Sequence, residues 1–187
     1  SITSLPDPKQ GLVIYGINNW QSIGSGLSGG CDLNKDGIDD LIIGADPNYL
    51  GKAAAYVIFG RRTTLWTSGS LLLSELNGAN GFKLISGTSN CDLWCNDFGQ
   101  SPHCIPDYDG DGNNDIFIGD ESSHEWAGAA ALVYGLGASW PSVVNVSELN
   151  QAGRVVTFLP LPNQTTFFGQ PRTTLDLNLD GHIDLVL

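Results

Sequence analysis

Three nine-residue segments with oxygen-bearing side chains at alternate positions constrain this chain more than any other feature. They begin at Asp32, Asp107 and Asp176, and each has glycine at its sixth position and aspartate at its ninth. Calcium prefers six to eight oxygen ligands, and a short loop can supply them from alternate side chains and one backbone carbonyl. The pattern therefore predicts three calcium-binding loops: loop 1 (residues 32–40), loop 2 (107–115) and loop 3 (176–184).

The side chains at positions 1, 3, 5 and 9 of each loop are the predicted ligands, together with the carbonyl at position 7. Three unrelated residues stand at position 7, as expected if only the carbonyl is used. A single loop of this composition could be an ordinary solvated turn, but three copies in register favour metal binding. The predicted ligands are Asp32, Asn34, Asp36, Ile38 and Asp40 in loop 1, Asp107, Asp109, Asp111, Asn113 and Asp115 in loop 2, and Asp176, Asn178, Asp180, His182 and Asp184 in loop 3.

The residues that follow the loops exclude an EF-hand, which needs glutamate at position 12 and a helix on either side. Position 12 holds Ile43, Ile118 and Leu187, each within a short apolar run. Runs of this length predict buried strands, so each loop is expected to connect two strands.

Apolar runs punctuated by 24 glycines favour an all-β fold, and 187 residues suffice for one domain with a sizeable core. One strand motif recurs at Gly11–Tyr15, Gly81–Ile85 and Gly153–Phe158. The loops begin at residues 32, 107 and 176, so they lie 75 and 69 residues apart, a spacing that suits a four-stranded unit. We therefore divide the chain into an extended arm (1–10) and three repeats (about 11–80, 81–152 and an incomplete 153–187).

The formal net charge of −12 is explained largely by the loops, which contain eleven of the 20 acidic residues. With eight Lys and Arg residues, the chain is a poor candidate for nucleic-acid binding. It has no apolar run long enough for membrane insertion. The absence of methionine and of a signal peptide, with serine at position 1, fits a processed secreted polypeptide.

Four cysteines, Cys31, Cys91, Cys95 and Cys104, allow three disulfide pairings, and the sequence does not choose among them. One pairing closes a tight loop between Cys91 and Cys95 and joins Cys31 to Cys104. The alternative is a zinc site that includes His103, but this requires reduced thiols, whereas the calcium loops suit an extracellular environment. We expect disulfides.

Two tripeptides, Asn145-Val-Ser and Asn163-Gln-Thr, are N-glycosylation sequons. Such tripeptides are frequent by chance, so they support secretion only weakly.

With these motifs in view, the chain resembles the FG-GAP repeats of integrin alpha-subunit β-propellers and, more closely, secreted microbial integrin-alpha-like repeat proteins. The Phe-Gly motif of that family falls on Phe98-Gly99 and Phe168-Gly169, and its Gly-Ala-Pro motif falls partly on Gly44-Ala45. The first repeat departs from the pattern, since Ile23 replaces the phenylalanine. The resemblance implies an all-β fold of about two and a half propeller-type blades.

Closed propellers usually have four to eight blades, so we expect completion by other copies of the chain or by the rest of a longer chain. The leading hypothesis is an extracellular or cell-surface calcium-binding module with a structural or adhesion role, able to self-assemble into a fibre or surface layer. The alternatives are a glycan-binding, lectin-like module or an accessory domain of a secreted hydrolase or lyase. No nucleophile elbow, HExxH or phosphate loop is present, and we expect no enzymatic activity.

Overall fold

A computed structural model of the protein describes residues 11–17, 22–45, 54–62, 69–87, 98–120, 128–159, 161, 173–180 and 183–186. The predicted arm, residues 1–10, lies outside the described residues. Strands dominate the described part of the chain, as the glycine-punctuated apolar runs predict.

The described residues form thirteen strands, one 3-10 turn (Leu73–Glu75) and one short helix, α1 (Val146–Gln151). The strands are β1 (Val13–Tyr15), β2 (Ile23–Cys31), β3 (Asp40–Ala45), β4 (Ala54–Ile58), β5 (Ser70–Leu72), β6 (Gly81–Ile85), β7 (Ser101–Ile105), β8 (Asp115–Asp120), β9 (Ala129–Val133), β10 (Val143–Asn145), β11 (Val155–Phe158), β12 (Thr173–Leu175) and β13 (Asp184–Val186).

Two larger sheets share one plan. In sheet 1, β2, β3, β4 and β6 form an antiparallel series, and β10 adds to β6 in parallel. In sheet 2, β7, β8, β9 and β11 form the same antiparallel series. The third strand of each series, β4 or β9, is buried at every residue, as expected for small and branched side chains with neighbours on both faces.

Two smaller sheets accompany them: β1 pairs with β5 in parallel, and β12 pairs with β13 antiparallel. Within the described residues the four sheets are open, and they do not close into a ring.

The sheets are offset by one strand from the repeats read in the sequence. The segment Gly81–Ile85, predicted to start the second repeat, instead belongs to sheet 1 as the fourth strand of its antiparallel series, where it pairs with β4. Likewise β11, at the start of the third repeat, pairs with β9 in sheet 2. Sequence similarity marks where a motif recurs, whereas hydrogen bonding decides which sheet the strand joins.

Adjacent sheets approach closely where glycine leaves out a side chain. A Cβ on Gly99 would lie 2.8 Å from the backbone carbon of Ala54, and one on Gly44 would collide with the carbonyl oxygen of Gly99. Phe98, immediately before Gly99, is 1% exposed and belongs to the core between the sheets. The Phe-Gly pair therefore fills the core and permits close backbone contact in adjacent positions.

A strand before loop 1 was expected, but the nine-residue extent of β2 was not predicted, because its Gly- and Ser-rich sequence has no apolar pattern. Its small residues face β7 of sheet 2, where a Cβ on Gly26 would collide with the carbonyl oxygen of Gln100. The Cys104 N–H donates to Ser28 Oγ at 2.9 Å. The strand is thus defined by contact with a neighbouring sheet and not by its own apolar pattern.

The core between the two large sheets is anchored by Trp140. Its ring stacks on Phe82 with centroids 4.3 Å apart, and its Nε1 donates to the Leu33 carbonyl at 2.9 Å.

No helix among the described residues is both long and apolar enough to cross a membrane.

Candidate metal centre

All three predicted calcium loops lie in turns between antiparallel strands, as predicted. Loop 1 joins β2 to β3, loop 2 joins β7 to β8, and loop 3 joins β12 to β13. Residues 181 and 182 lie outside the described residues, so the predicted carbonyl ligand of His182 does too.

The aspartate at position 1 folds each loop back on itself. Asp32 accepts hydrogen bonds from the Asp36 and Gly37 N–H groups at 3.0 and 2.7 Å. In loop 2 the Gly112 N–H donates to Asp107 Oδ2 at 2.9 Å, and in loop 3 the Asp180 N–H donates to Asp176 Oδ1 at 3.1 Å. The same residue type at the same position thus produces the same turn three times.

The aspartate at position 9 has a second role that the ligand pattern did not predict. Asp40 accepts from the Leu33 N–H at 2.7 Å and from the Gly60 N–H, just beyond β4, at 2.8 Å. In loop 2, the Tyr108 N–H donates to Asp115 Oδ2 at 2.7 Å and the Gly135 N–H donates to Asp115 Oδ1 at 2.8 Å. The carboxylate therefore ties its loop to the end of the third strand.

A sequence signal for this tie was present. A glycine follows the position-9 aspartate by 20 residues in both sheets. A Cβ at either glycine would collide with a loop carbonyl, that of Asp39 or Asn114.

Burial raises the pKa of Asp40 and of Asp115 to about 6, although backbone N–H donors partly oppose the shift. The neighbouring loop carboxylates raise these pKa values further, Asp32 and Asp36 in loop 1 and Asp109 and Asp111 in loop 2. A cation bound among these groups would favour their charged forms.

Loop 2 brings three carboxylates together. The ligand oxygens of Asp107, Asp109 and Asp115 all lie within 4.8 Å of one another. Asp107 Oδ1 is buried and has no hydrogen-bond donor, whereas the matching oxygens of Asp32 and Asp176 each accept a backbone N–H. A buried carboxylate oxygen without a partner is costly, and a hard cation such as Ca²⁺ would satisfy it. The residues present therefore fit a calcium ion.

Asp111, also a predicted ligand, is outside this cluster. Its Oδ2 lies 3.7 Å from Nη2 of Arg154, whose guanidinium also donates to the Gly135 carbonyl. The Asn113 N–H is the main cause of a lowered Asp111 pKa, with smaller contributions from Arg154 and Lys35. The charge of Asp111 is thus partly balanced within the protein.

In loops 1 and 3 an asparagine takes position 3. Asn34 Nδ2 donates to Asp36 at 3.0 Å, and Asn178 Nδ2 donates to Asp180 at 2.9 Å. Within the described residues, neither loop gathers three carboxylates as loop 2 does.

The strand–loop–strand–strand arrangement around loop 1 has a counterpart among known families. Residues 23–58 match the FG-GAP repeat. The matched segment of 36 residues (23 to 58) runs from the start of β2 to the end of β4, so it contains loop 1 whole. No curated protein matches the chain.

The backbone of the three loops has a requirement that the ligand pattern did not show. Position 4 of each loop has a left-handed conformation, with φ of 62° at Lys35, 77° at Gly110 and 61° at Leu179. Glycine, which adopts this conformation without strain, stands there in loop 2 alone.

A disulfide joins Cys31 to Cys104, with Cα atoms 6.1 Å apart. It links the residue before loop 1 of the FG-GAP repeat to β7, and Asn114 Nδ2 donates to the Asp32 carbonyl at 2.9 Å beside it. A disulfide indicates an oxidising compartment, and it removes Cys104 from the alternative zinc site. Cys91 and Cys95 lie outside the described residues.

Asn145, a predicted glycosylation site, caps helix α1. Its Oδ1 accepts from the Ser147 and Glu148 N–H groups at 3.1 and 3.4 Å, and its Nδ2 donates to Glu148 at 2.9 Å. Glycosylation there stays a prediction, as it does at Asn163, which lies outside the described residues.

Proposed function

We propose that the protein is an extracellular structural or adhesion module of FG-GAP repeats that binds calcium at its three loops. The observation that carries the proposal is the Asp107, Asp109 and Asp115 cluster, in which a buried oxygen has no donor. An all-oxygen set on a short flexible loop is the donor chemistry that Ca²⁺ prefers.

A structural role is supported by what the loops connect. Loop 1 is tied to the end of β4 through Asp40 and to loop 2 through Asn114, and the Cys31–Cys104 disulfide joins the residue before loop 1 to β7. A cation among these carboxylates would stabilise contacts within and between sheets. The proposal assigns no catalytic residue.

Extracellular placement is supported by two independent features. The disulfide requires an oxidising compartment, and loops of this kind are matched to the high calcium concentration outside cells.

Calorimetric titration with Ca²⁺ tests the metal assignment. We expect saturable binding that Asp109→Asn weakens, because the substitution removes a carboxylate from the cluster. The matched control is Asp39→Asn, which removes an exposed charge that is not a predicted ligand. No binding heat at millimolar Ca²⁺, or equal binding by both variants, would overturn the assignment.

We further propose that the sheet edges are completed by another copy or by the rest of a longer chain. Strand β6 has β4 on one side and β10, in parallel, on the other. Strand β1 carries the same motif and has β5 in the matching parallel position, but among the described residues nothing occupies its other edge. By this equivalence, β1 would accept an antiparallel strand resembling β4 or β9.

Light scattering over a concentration series in calcium tests self-assembly. We expect oligomers or filaments that Tyr15→Lys weakens, since Tyr15 is 43% exposed on β1 and a lysine at a strand edge opposes pairing. Leu161→Lys, which alters an exposed residue outside the strands, is the control. A monomer at every concentration would contradict self-assembly.

A further inference from the structure

A cleft of about 500 Å³ lies beside loop 1, at the end of sheet 1. Loop 1, the residues following β4 and the turn before β6 form its walls. Its volume falls within the range of small-molecule binding sites. The polar residues that line it are Asn34, Asp36, Arg61, Arg62, Asn77 and Asn80.

The equivalent place in sheet 2 is covered by an arginine of the protein itself. Asn80 and Arg154 are equivalent because their carbonyls accept from the matching residues Phe59 and Tyr134, at 3.1 and 3.0 Å. The Arg154 guanidinium contacts the Gly135 carbonyl and the loop carboxylate Asp111.

The shorter Asn80 does not reach across in the same way. Its Nδ2 donates to the Glu75 carbonyl at 2.9 Å, and its Oδ1 accepts from the Asn77 N–H at 2.9 Å. Both polar ends are thus used within the turn. The cleft is therefore a specific difference between two otherwise matching sheets.

The cleft concentrates positive charge on an acidic protein. Arg61 and Arg62 are two of only eight basic residues in a chain of formal net charge −12. Arg61 Nη2 donates to the Ala79 carbonyl at 3.3 Å, which holds its guanidinium against the cleft wall. Guanidinium groups favour a carboxylate and disfavour a cationic ligand.

The remaining walls limit which anion fits. Asp36 would repel a simple phosphate or sulfate ion, which offers few or no donors, but it can accept from a hydroxyl group. Asn34 uses both ends of its amide on Asp36. Asn77 accepts from the Ala79 N–H through its Oδ1 at 2.9 Å, and its Nδ2 is a donor that suits a hydroxyl oxygen. The lining thus matches a ligand with one carboxylate and several hydroxyl groups.

We propose that this cleft binds an acidic saccharide. The uronate-type carboxylate lies against Arg61 and Arg62, and the sugar hydroxyls lie against Asp36 and the Asn77 side chain. The cleft shares Asn34 and Asp36 with calcium loop 1, so this proposal rests on the proposed calcium-bound form of that loop, but it does not depend on self-assembly.

Calorimetric titration of the calcium-saturated protein tests the proposal with five probes. Trimers of galacturonate, guluronate and glucuronate are compared with the neutral galactose trimer, and sodium sulfate serves as a plain anion. We expect at least one uronate trimer to bind, with the neutral trimer and sulfate at least about tenfold weaker. The double variant Arg61→Gln/Arg62→Gln should lose roughly ten- to a hundredfold in affinity, because charge-assisted hydrogen bonds are removed.

The matched control is Lys83→Gln, which removes one positive charge from β6 outside the cleft and should bind within about twofold of the native chain. Melting curves verify that every variant is folded. The proposal is overturned if no uronate trimer binds, if the neutral trimer or sulfate binds equally well, or if the double variant retains native affinity.

Discussion

At the scale of single residues, each position-9 aspartate uses one carboxylate in two ways: it accepts backbone hydrogen bonds, and it is a predicted metal ligand. Asp40 and Asp115 are buried, they hold backbone N–H groups, and they face other loop carboxylates. Desolvation wins in the calcium-free protein, and their pKa values rise to about 6. Keeping these buried carboxylates charged costs free energy, and a bound cation would offset that cost.

This balance predicts how stability depends on pH. The folded-state pKa of about 6 lies above the unfolded value near 3.8, so the native state binds more protons between these values. In EGTA, the stabilising contribution of these groups is fully present below about pH 4 and is lost as pH rises through about 6. Calcium affinity should change in the opposite sense, weakening as pH falls below about 6, because protons compete for the same oxygens.

Urea unfolding in EGTA at a series of pH values measures this effect, with Asp115→Asn as the test variant. The variant should lose part of the pH dependence, since its side chain does not ionise. The control Asp39→Asn, at an exposed site, should keep it. An identical pH dependence in all three proteins would refute the assignment.

Position 4 of the loops predicts a gain in stability from a single change. Leu179 has φ of 61° and is 87% exposed, so its side chain brings strain and little burial. Leu179→Gly should stabilise the protein by roughly 0.5–1 kcal/mol, the relief of left-handed strain less the added chain entropy of glycine. Lys35→Gly should also stabilise the protein, because Lys35 has a φ of 62° at the same position of loop 1.

Leu177→Gly is the control for this gain, since position 2 has no positive φ. It should destabilise the protein when measured by the same urea midpoints. If glycine at position 4 destabilised the protein as much as glycine at position 2, the left-handed backbone at position 4 would not be strained.

At the scale of elements, the contact between sheets depends on glycine at the Phe-Gly motif. Gly99 combines a φ of 91° with a Cβ position 2.8 Å from the Ala54 backbone. Gly99→Ala should therefore destabilise the protein by about 2 kcal/mol or more.

Gly30→Ala separates the two causes. Gly30 has φ of 89°, and a Cβ there meets nothing within 4 Å, so this variant reports backbone strain alone. Thermal melting of both variants should show the larger loss at Gly99. Equal losses would mean that the close approach of the sheets contributes nothing.

Most strands could be predicted from sequence because they carry their own apolar pattern. The motif at Gly81–Ile85 predicted β6, and the runs after loops 1 and 2 predicted β3 and β8. The extent of β2 could not be predicted, since its glycine and serine residues have no apolar pattern and the strand is defined by pairing with β3 and by contact with β7. The three-residue strands β5 and β10 are likewise defined by pairing, with β1 and β6.

The sequence predicted which residues belong to the candidate site, but it predicted less well what each carboxylate contacts. The oxygen-bearing side chains at alternate positions identified all three loops. They also predicted Asp111 as a ligand equal to the others, whereas its carboxylate contacts Arg154, 43 residues further along the chain (111 to 154). The tie between Asp40 and Gly60 also joins distant residues. Local patterns identify ligand types, whereas the assembled sheets decide which partners each carboxylate has.

At the scale of the whole molecule, loops and sheets form one connected system. The Cys31–Cys104 disulfide and the Asn114–Asp32 bond join sheet 1 to sheet 2 near the loops. Trp140 packs in the core cluster to which both sheets contribute. Calcium at the loops should therefore stabilise both sheets together rather than one hairpin alone.

The melting temperature in saturating calcium, compared with that in excess EGTA, tests this account most directly. Binding to the folded state alone stabilises it by about 2.7 kcal/mol per site at a hundredfold excess over Kd, which for a chain of this size corresponds to roughly 5–10 °C. We predict one cooperative transition that rises by at least this much in calcium and by less in Asp109→Asn. A melting temperature that is the same in calcium and in EGTA would contradict the central claim that the loops are calcium-dependent structural sites.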